Sequence, residues 1–260
     1  FADAANVLIS EFGKPDFISS HGQTVYHYPF DEKIDNISLK STLQIGESSV
    51  IAQETGCLTI SNFREADIAQ NGQGAPLVCF ADEVWFKWGK CKGKNYAIQN
   101  IGGISNVTVI SQDYETFGFD TGLGNIMIDY CMGKYFNEPY DNDGEIASMG
   151  NVCDGWLDCL LQDEYYFMDP PKSTGREYFS PSYIESVLKF APEDPKDIIA
   201  TVTALTAKTI AQSYERFVYP DIDINEVVIG GGGAGGIREA QDLAAQLIHG
   251  SFKAQAGAGG

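Results

Sequence analysis

Residues 96–125 constrain the fold most strongly, because they combine strand signals with a tight turn. Apolar residues alternate over residues 96–100 and 104–111, and the pair Gly102-Gly103 separates the two runs. Two alternating runs joined by two glycines are typical of a β-hairpin. A third short run follows at residues 117–119. The stretch therefore predicts a hairpin followed by a third strand.

The third run ends at Asp120, and the glycine-rich residues 121–125 lead into a helical pattern through Met127, Tyr130 and Cys131. A carboxylate at the end of a strand, beside glycines and a helix start, is suitably placed for a general base. The same position also suits an Asp that only caps the helix N-terminus. Both interpretations remain open on the local pattern alone.

The glycine pair also has two possible interpretations, a phosphate-binding one and a purely structural one. Without a Cβ, the backbone N–H groups of Gly102 and Gly103 can approach phosphate oxygens closely. Taken alone, the pair fits an ordinary two-residue hairpin turn equally well. Asn106 and then Asp120 follow at a distance that favours the phosphate-binding interpretation.

The composition argues against several classes of partner. The chain has 17 Lys and Arg against 36 Asp and Glu, a net charge of −19, and so lacks the clustered cations that nucleic-acid phosphates require. An anionic substrate would have to be held by local N–H groups and one or two cations. No apolar run approaches the ~20 residues of a membrane span, and no signal-peptide pattern is present. We expect a cytoplasmic protein that binds neither nucleic acid nor membrane.

The six cysteines form no C-x-x-C pair, and most lie within apolar patterns. Reduced thiols in the core are therefore favoured over disulfides or a metal site. Only three histidines are present, which argues against a His-rich metal site. We assign no residue as a metal ligand.

Strand and helix signals alternate along the chain, which indicates an α/β fold. A basic connector at residues 89–94 separates a predicted N-terminal lobe, residues 1–93, from a predicted C-terminal lobe, residues 94–260. The patterns predict helices at 3–12, 48–56, 77–88, 180–188, 198–217 and 237–248, and strands at 17–20, 25–28, 43–46, 58–63 and 226–229. They predict polar turns or loops at 31–40 and 67–76.

Two polar motifs of the predicted N-terminal lobe are candidate ligand contacts. The run from His21 to Thr24 offers an imidazole, an amide and a hydroxyl at a strand end, although it also fits a surface turn. Arg64 and Asp67 precede the glycine-rich loop 71–76. The alternative interpretation of this pair is a surface salt bridge beside an ordinary loop.

Four consecutive glycines, residues 230–233, separate a buried-type strand from a predicted helix. Such a run is typical of a close approach between backbone and ligand, although a purely structural turn is the alternative. A dinucleotide-binding motif is excluded, because it requires a further strand and an acidic residue ~20 positions later. The last acidic residue of this chain is Asp242. Neither a P-loop nor a G-x-S-x-G motif occurs in the chain.

Together these motifs resemble the anhydro-N-acetylmuramic acid kinase family, which includes levoglucosan kinase. The matching blocks run in unbroken order from about residue 17 to residue 235. They are His21-Gly22-Gln23-Thr24, Thr42-Leu43-Gln44-Ile45-Gly46, Phe63-Arg64, Asp67-Ile68-Ala69, Gly72-Gln73-Gly74-Ala75-Pro76, Asn100-Ile101-Gly102-Gly103-Ile104-Ser105-Asn106, Phe119-Asp120-Thr121-Gly122, Gly124-Asn125, Asp141, Asp143-Gly144, Pro171-Lys172-Ser173-Thr174-Gly175-Arg176-Glu177, Ala200-Thr201, Leu205-Thr206-Ala207 and Gly231-Gly232-Gly233-Ala234.

The resemblance implies a two-lobe actin-like ATPase fold, of the ribonuclease H-like kind, that opens a 1,6-anhydrosugar and phosphorylates O6 with ATP and Mg²⁺. It implies that Asp120 is the base that activates the attacking water. The expected partners are the anhydrosugar and ATP, with a homodimer as an option. The resemblance implies sugar contacts by Arg64, His21, Gln23, Asp67 and Gln73, and ATP contacts by Asn100, Gly102, Gly103, Asn106, Gly122, Gly231, Gly232 and Gly233.

The sequence also departs from the family pattern. A first phosphate hairpin of the form Ser-Gly-Thr-Ser-x-Asp-Gly is absent, Leu123 replaces the usual proline, and Asn62 replaces an Asp. Gly235-Gly236 stand where a polar pair is usual. The chain also begins without Met and ends in a low-complexity tail at 254–260, so we expect a fold truncated at both ends.

These departures leave alternatives to an active anhydro-N-acetylmuramic acid kinase. Levoglucosan could be the substrate instead, or the chain could be a non-catalytic member that binds sugar or nucleotide only. A glycosidase would need two opposed carboxylates, and Glu145 is the only partner that we could suggest for Asp120.

Overall fold

The computed structural model describes residues 1–89 and 93–233, apart from the side chains of residues 30–32, 34 and 38. The helix predicted at 237–248, Gly235-Gly236 and the tail at 254–260 lie outside the described residues. Strands and helices alternate in the described part, which confirms the α/β prediction. Within it, no helix is both long and apolar enough to cross a membrane.

The chain divides into two compact units, Phe1–Leu77 and a second that begins at Val78. The lobe boundary predicted between residues 93 and 94 stays a prediction. The elements of the first unit are α1 Ala2–Phe12, β1 Phe17–Ser19, β2 Gln23–Ile34, β3 Ile37–Ile45, α2 Ser48–Thr55, β4 Leu58–Ile60 and α3 Phe63–Ala69. Its strands form two small sheets, a parallel pair of β1 with β4 and an antiparallel pair of β2 with β3.

The polar turns predicted at residues 31–40 are instead parts of two long strands. β2 and β3 form a hairpin whose two-residue turn is Asp35-Asn36, with φ values of 50° and 69°. Asp and Asn tolerate the left-handed conformation that a tight hairpin turn requires at both positions. The prediction was wrong because charged residues in the strands hide the alternating pattern.

The strand predicted at 58–63 ends early, and the loop predicted at 67–76 starts late. Asn62 adopts a left-handed φ of 62°, which breaks the strand and starts α3. Arg64 and Asp67 are therefore on one helix, three residues apart, which places both side chains on the same side of it. The loop itself follows the end of α3.

The second unit is built on a four-stranded sheet. The elements of this unit are α4 Cys79–Phe86, β5 Tyr96–Ile101, β6 Ile104–Ile110, β7 Phe117–Leu123, α5 Ile126–Phe136, α6 Glu145–Ser148, α7 Asp154–Leu160, α8 Pro181–Leu188, α9 Pro195–Phe217 and β8 Glu226–Gly230, with 3₁₀ turns at Asn142–Gly144 and Glu164–Phe167. The strand order in the sheet is β7-β6-β5-β8, in which β6 is antiparallel to both β5 and β7, whereas β8 is parallel to β5.

Helix α9 covers one face of this sheet and forms most of the core with it. Asp194 caps the helix by accepting the Lys196 N–H at 2.9 Å, and Pro195 occupies the first turn, where its missing N–H costs nothing. Ile210 and Tyr214 of α9 belong to the same buried cluster as Phe119 and Val107 of the strands. The helix predicted at 198–217 is confirmed and begins one turn earlier.

Strand β7 continues past the point where the sequence pattern predicted its end. Asp120 therefore lies inside the strand, whereas we predicted it at the strand's end. The pairing register with β6 shifts between Ser105 and Asn106, so Thr121 is an extra residue in β7. Such a bulge changes the direction of neighbouring side chains and is common beside active sites.

The five described cysteines carry free thiols, in agreement with the expectation of reduced cysteines. Cys57 and Cys131 are buried, Cys79 and Cys153 are half-buried, and Cys159 is exposed. Cys91 lies outside the described residues.

Candidate active site

The glycine pair forms the predicted two-residue turn between β5 and β6. Ile101 pairs with Ser105 across the hairpin, and Gly102 and Gly103 connect the two strands. The Gly102 carbonyl accepts the N–H of Asn125 at 2.8 Å, and the Gly103 carbonyl accepts the N–H of Gly124 at 3.0 Å. Because a trans peptide directs its N–H opposite to its carbonyl, the Gly103 N–H points away from α5.

The start of α5 is held from both sides. The Gly103 carbonyl also accepts the N–H of Ile126 at 3.1 Å, so the hairpin turn caps the helix N-terminus. On the other side, the Thr206 hydroxyl of α9 donates to the Gly124 carbonyl at 2.9 Å. A Cβ on Gly124 would overlap the Gly102 carbonyl oxygen, so only glycine fits this contact. The hairpin, α5 and α9 are thus tied together at one residue.

Four residues form one row across the whole sheet. Gly230 of β8 pairs with Asn100 of β5, Asn100 with Asn106 of β6, and Asn106 with Asp120 of β7. Directly paired residues place their side chains on the same face of a sheet, with neighbouring strands about 4.8 Å apart. The structure thus brings together three of the side chains singled out from the sequence.

Asp120 is 5% exposed, and contacts from distant parts of the chain hold it. Its carboxylate Oδ2 accepts the N–H of Thr174 at 2.8 Å, and its N–H donates to the Lys172 carbonyl at 3.1 Å. Its carbonyl accepts the Tyr165 hydroxyl at 2.7 Å. Burial and the charge of Asp120 raise the pKa of Tyr165, so this hydroxyl remains a proton donor at any physiological pH. Gly122 is buried two residues later, packed against the Tyr166 ring.

The glycine run that follows β8 packs against the hairpin. Gly231 has a left-handed φ of 93°, and a Cβ there would lie 2.7 Å from Asn100 Oδ1. A Cβ on Gly233 would lie 2.7 Å from Asn125 Oδ1, whereas Gly232 faces the same side chain with more room. The missing side chains allow the run to wrap around the hairpin and the start of α5.

A cavity of 340 Å³ opens beside the glycine run. Its volume lies within the range of small-molecule sites. Burial raises the pKa of Asp129, and the nearby positive charge of Arg176 opposes that effect. The Asp141 carboxylate accepts the N–H groups of Ile146 and Ala147, both at 2.9 Å, so it is committed to α6. The cavity is lined by Asn125, Ile128, Asp129, Tyr140, Asp141, Thr203, Gly232 and Gly233.

A second cluster lies in the first unit, around the loop after α3. Arg64 donates from Nε to His21 Nε2 at 2.8 Å and from Nη1 to the Gly74 carbonyl. Since His21 Nε2 accepts this bond, its proton is on Nδ1, which lies 3.0 Å from the Gly22 carbonyl. The Asp67 carboxylate accepts the Gly74 N–H at 2.7 Å. Arg64 and Asp67 therefore hold the two polar groups of one glycine.

The remaining candidates of the first unit are less constrained. Gln23 is exposed, and its amide donates to the Thr24 carbonyl at 3.2 Å. Gln73 has a buried Oε1 without a hydrogen-bond partner among the described residues. Beside them, His27 is buried, and its Nδ1 lies 3.0 Å from the Thr42 hydroxyl.

Several residues of these sites were not singled out from the sequence. Asp129, Tyr140 and Thr203 line the cavity, yet they lie in ordinary helical or loop patterns that carry no signal of their own. Lys172 and Thr174 fell within a block matched to the family but received no role. Their proximity to Asp120 depends on a contact between residues 54 positions apart.

Comparison with known proteins identifies the family. The anhydro-N-acetylmuramic acid kinase family matches residues 1–258. The chain belongs to this family. Membership carries with it the actin-like ATPase fold that the motifs implied. The anhydro-N-acetylmuramic acid kinase of Caldanaerobacter subterraneus subsp. tengcongensis is 43% identical over 246 residues, which cover 90% of this chain and 61% of that protein.

Other members of the family match this chain with similar identity and coverage. The anhydro-N-acetylmuramic acid kinases of Bacillus cereus and Clostridioides difficile are each 46% identical over 223 residues, which cover 84% of this chain and 57% of theirs. The chain thus spans about three fifths of the length of these curated relatives. Among solved structures, component A of the Acidaminococcus fermentans (R)-2-hydroxyglutaryl-CoA dehydratase is similar at 15% identity with a TM-score of 0.39, covering 80% of this chain and 75% of that one.

Proposed function

We propose that the protein is an ATP-dependent 1,6-anhydrosugar kinase, which opens the anhydro ring with water and phosphorylates O6. The observation that carries this proposal is the buried carboxylate of Asp120, which lies in one sheet row with Asn106, Asn100 and Gly230 in a chain of this family. The relatives are named for anhydro-N-acetylmuramic acid, which makes that sugar the first candidate. Levoglucosan is the second.

In this mechanism Asp120 acts as the general base. Its carboxylate accepts a proton from a water molecule, the water oxygen bonds to the anomeric carbon, and the bond from that carbon to O6 breaks. The released O6 attacks the γ-phosphorus, and ADP leaves. A positioned base of this kind contributes about 10²–10⁴-fold to the rate. The amide of Thr174, bonded to Oδ2, fixes the direction of the carboxylate.

The nucleotide is proposed to bind along the glycine run and the hairpin. Gly232 and Gly233 border the 340 Å³ cavity and present backbone without side chains, which suits the nucleoside. Asn100 lies between Gly231 and the hairpin turn, where the N–H of Gly103 points away from α5 and suits a phosphate oxygen. Asn106 and Gly122 complete the proposed phosphate contacts.

Mg²⁺ would enter with the nucleotide, because it is usually held by substrate phosphates, water and one or two carboxylates. Among the described residues, no group of three or more His, Cys, Asp or Glu side chains could hold a metal by itself. In the proposed complex the phosphates would carry the Mg²⁺, and the Mg²⁺ would neutralise part of their charge. We name no protein ligand for it.

The sugar is proposed to bind to the cluster of the first unit. His21, Gln23 and Gln73 carry the hydrogen-bonding groups that suit sugar hydroxyls. Arg64 adds a cation for a substrate carboxylate, which the lactyl group of anhydro-N-acetylmuramic acid provides and levoglucosan lacks. Asp67 supports this cluster through its bond to Gly74. The reaction would take place in the cytoplasm, where ATP is available.

The test is a coupled ADP-release assay on the full-length protein with each sugar, with the product analysed by mass spectrometry. In H₂¹⁸O, the proposed mechanism places one ¹⁸O at the anomeric carbon and none in the phosphate. ADP release without sugar dependence, or a product without ¹⁸O, would contradict the mechanism. Binding of sugar or nucleotide with no turnover would favour the non-catalytic alternative, for which Leu123 in place of the family's proline is the specific observation.

A further inference from the structure

Lys172 is a buried cation close to Asp120 that the mechanism above does not use. It is 1% exposed, and its Nζ donates to the Tyr165 carbonyl at 3.2 Å. The same Nζ lies 4.9 Å from the centroids of the Tyr165 and Phe217 rings and 5.9 Å from that of Phe119. An ammonium among three aromatic rings is attracted to their faces. Its position is therefore defined by several contacts at once.

Two of the residues that contact the Lys172 ammonium, and the backbone of Lys172 itself, also contact or adjoin Asp120. Phe119 precedes Asp120 in β7, and the Tyr165 hydroxyl donates to the Asp120 carbonyl. The Lys172 carbonyl accepts the Asp120 N–H, and two residues later the Thr174 N–H donates to the Asp120 carboxylate. The backbone of residues 172–174 thus binds both the main chain and the side chain of Asp120.

The environment of Lys172 shifts its pKa in two opposing directions. Burial and, to a smaller extent, the charge of Arg216 lower the pKa of Lys172 from 10.5 to about 8, although the carboxylates of Asp169 and Asp120 act in the opposite direction. Arg216 belongs to α9, and its guanidinium stacks 4.5 Å from the Phe167 ring. The Tyr165 hydroxyl stays neutral throughout, because burial raises its pKa. Lys172 is therefore the group in this cluster that changes charge slightly above neutral pH.

We propose that Lys172 is a positioning residue for Asp120, whose ammonium anchors the segment 172–174 that holds the carboxylate. The proposal rests on the proposed function, since it assigns Asp120 as the base. While the ammonium is charged, its hydrogen bond and its attraction to the rings fix the segment. When it loses its proton, both interactions weaken and the Thr174 amide no longer holds the carboxylate in one direction.

The test is the pH dependence of kcat in the full-length protein and in two variants. The wild-type kcat should fall above about pH 8, because Lys172 deprotonates there. Lys172→Met should lower kcat at pH 7 by about 10- to 100-fold, as expected for a displaced catalytic group, and should lack the alkaline fall. Lys172→Arg should also lack it, because a guanidinium stays charged. The KM for ATP should stay within about twofold of the wild-type value in both variants, because Lys172 makes none of the proposed nucleotide contacts.

Lys189→Met is the matched control, since Lys189 is exposed at the end of α8. It should leave both kcat and its alkaline fall unchanged. An alkaline fall near pH 8 that persists in Lys172→Met would overturn the proposal. If that variant does not fold, the same fall in Lys172→Arg would overturn it instead.

A second measurement does not depend on activity. Lys172 has a lower pKa in the folded state than in the unfolded chain, so between about pH 8 and 10.5 the unfolded chain binds more protons. The wild type should therefore gain stability relative to Lys172→Met as the pH rises over this range, and a constant difference in their melting temperatures would refute the lowered pKa from which the alkaline fall in kcat is expected. If no sugar-dependent turnover occurs in the wild type, the proposed function fails, while this measurement still tests Lys172.

Discussion

At the scale of single residues, Asp120 depends on partners that are remote in the sequence. The motif around it singled out Asp120, Asn106 and Asn100, because strand ends and glycines are visible in a linear pattern. The bonds from Thr174 and Tyr165 were not predictable, since they join residues 54 and 45 positions apart. A pattern can indicate a chemical group, whereas its orientation is a property of the folded chain.

Replacing the proposed base tests the centre of the mechanism. Asp120→Asn keeps the shape and the acceptor for the Thr174 amide but removes the group that accepts a proton. We expect kcat for the anhydrosugar to fall by about 10²–10⁴-fold, with an unchanged circular dichroism spectrum. Asp158→Asn, an exposed Asp on α7, is the control and should keep full activity. An Asp120→Asn variant with full activity would remove this residue as the base.

The Tyr165 hydroxyl can be tested by comparison with a second buried tyrosine. Tyr165→Phe leaves the Asp120 carbonyl without this donor, so we expect the free energy of unfolding to fall by about 1–3 kcal/mol. Tyr214 is also fully buried, but its hydroxyl has no hydrogen-bond partner among the described residues. Tyr214→Phe should therefore be neutral or stabilising. Urea unfolding measures both, and equal losses in the two variants would contradict the assignment.

At the scale of elements, the sequence predicted those whose signals are local. The hairpin at Gly102-Gly103 and the helix after Ser180-Pro181 were predicted and are confirmed, because a turn and a cap need only adjacent residues. Only residues 25–28 and 43–46 of β2 and β3 were predicted as extended, and the hairpin that joins these strands was missed because its residues 31–40 are mostly polar and pair with each other. The start of α3 was missed because it depends on a left-handed Asn62.

The junction at Gly124 is the element-scale feature that a single methyl group would disturb. Gly124→Ala places a Cβ against the Gly102 carbonyl oxygen, so the hairpin turn and α5 must move apart. We expect a loss of about 1–3 kcal/mol in unfolding free energy, together with a higher KM for ATP. Thermal unfolding and the coupled assay measure the two effects.

Gly155→Ala is the matched control for this change. Gly155 lies in α7, and a Cβ there meets nothing within 4 Å. The substitution should raise stability by about 0.5–1 kcal/mol, because alanine loses less backbone freedom in a helix. If both variants lose stability equally, the steric argument for Gly124 is wrong.

At the scale of the whole molecule, we expect acid to destabilise the first unit, because protonation of the buried His27 is unfavourable in the folded state. Burial, followed by the charge of Arg64, lowers the pKa of His27 from 6.5 to about 4. The unfolded chain therefore binds more protons between these values, so stability is present above about pH 6.5 and is lost as the pH falls towards 4. Since one pKa unit corresponds to about 1.4 kcal/mol, the full loss should be on the order of 3 kcal/mol.

Urea unfolding at pH 7, 5.5 and 4.5 measures this loss. His27→Gln should reduce the slope of stability against pH over this range, because glutamine does not titrate. Parallel pH profiles for the wild type and His27→Gln would show that another group is responsible.

The sheet row from Gly230 to Asp120 has a consequence for how the chain folds during its synthesis. Its first members, Asn100 and Asn106, leave the ribosome together, whereas β8 is synthesised more than a hundred residues later and then pairs with β5. Until then β5 has an open edge, which is a site for unwanted strand pairing. Nascent chains that stop before residue 226 should therefore be the ones that aggregate or need a chaperone.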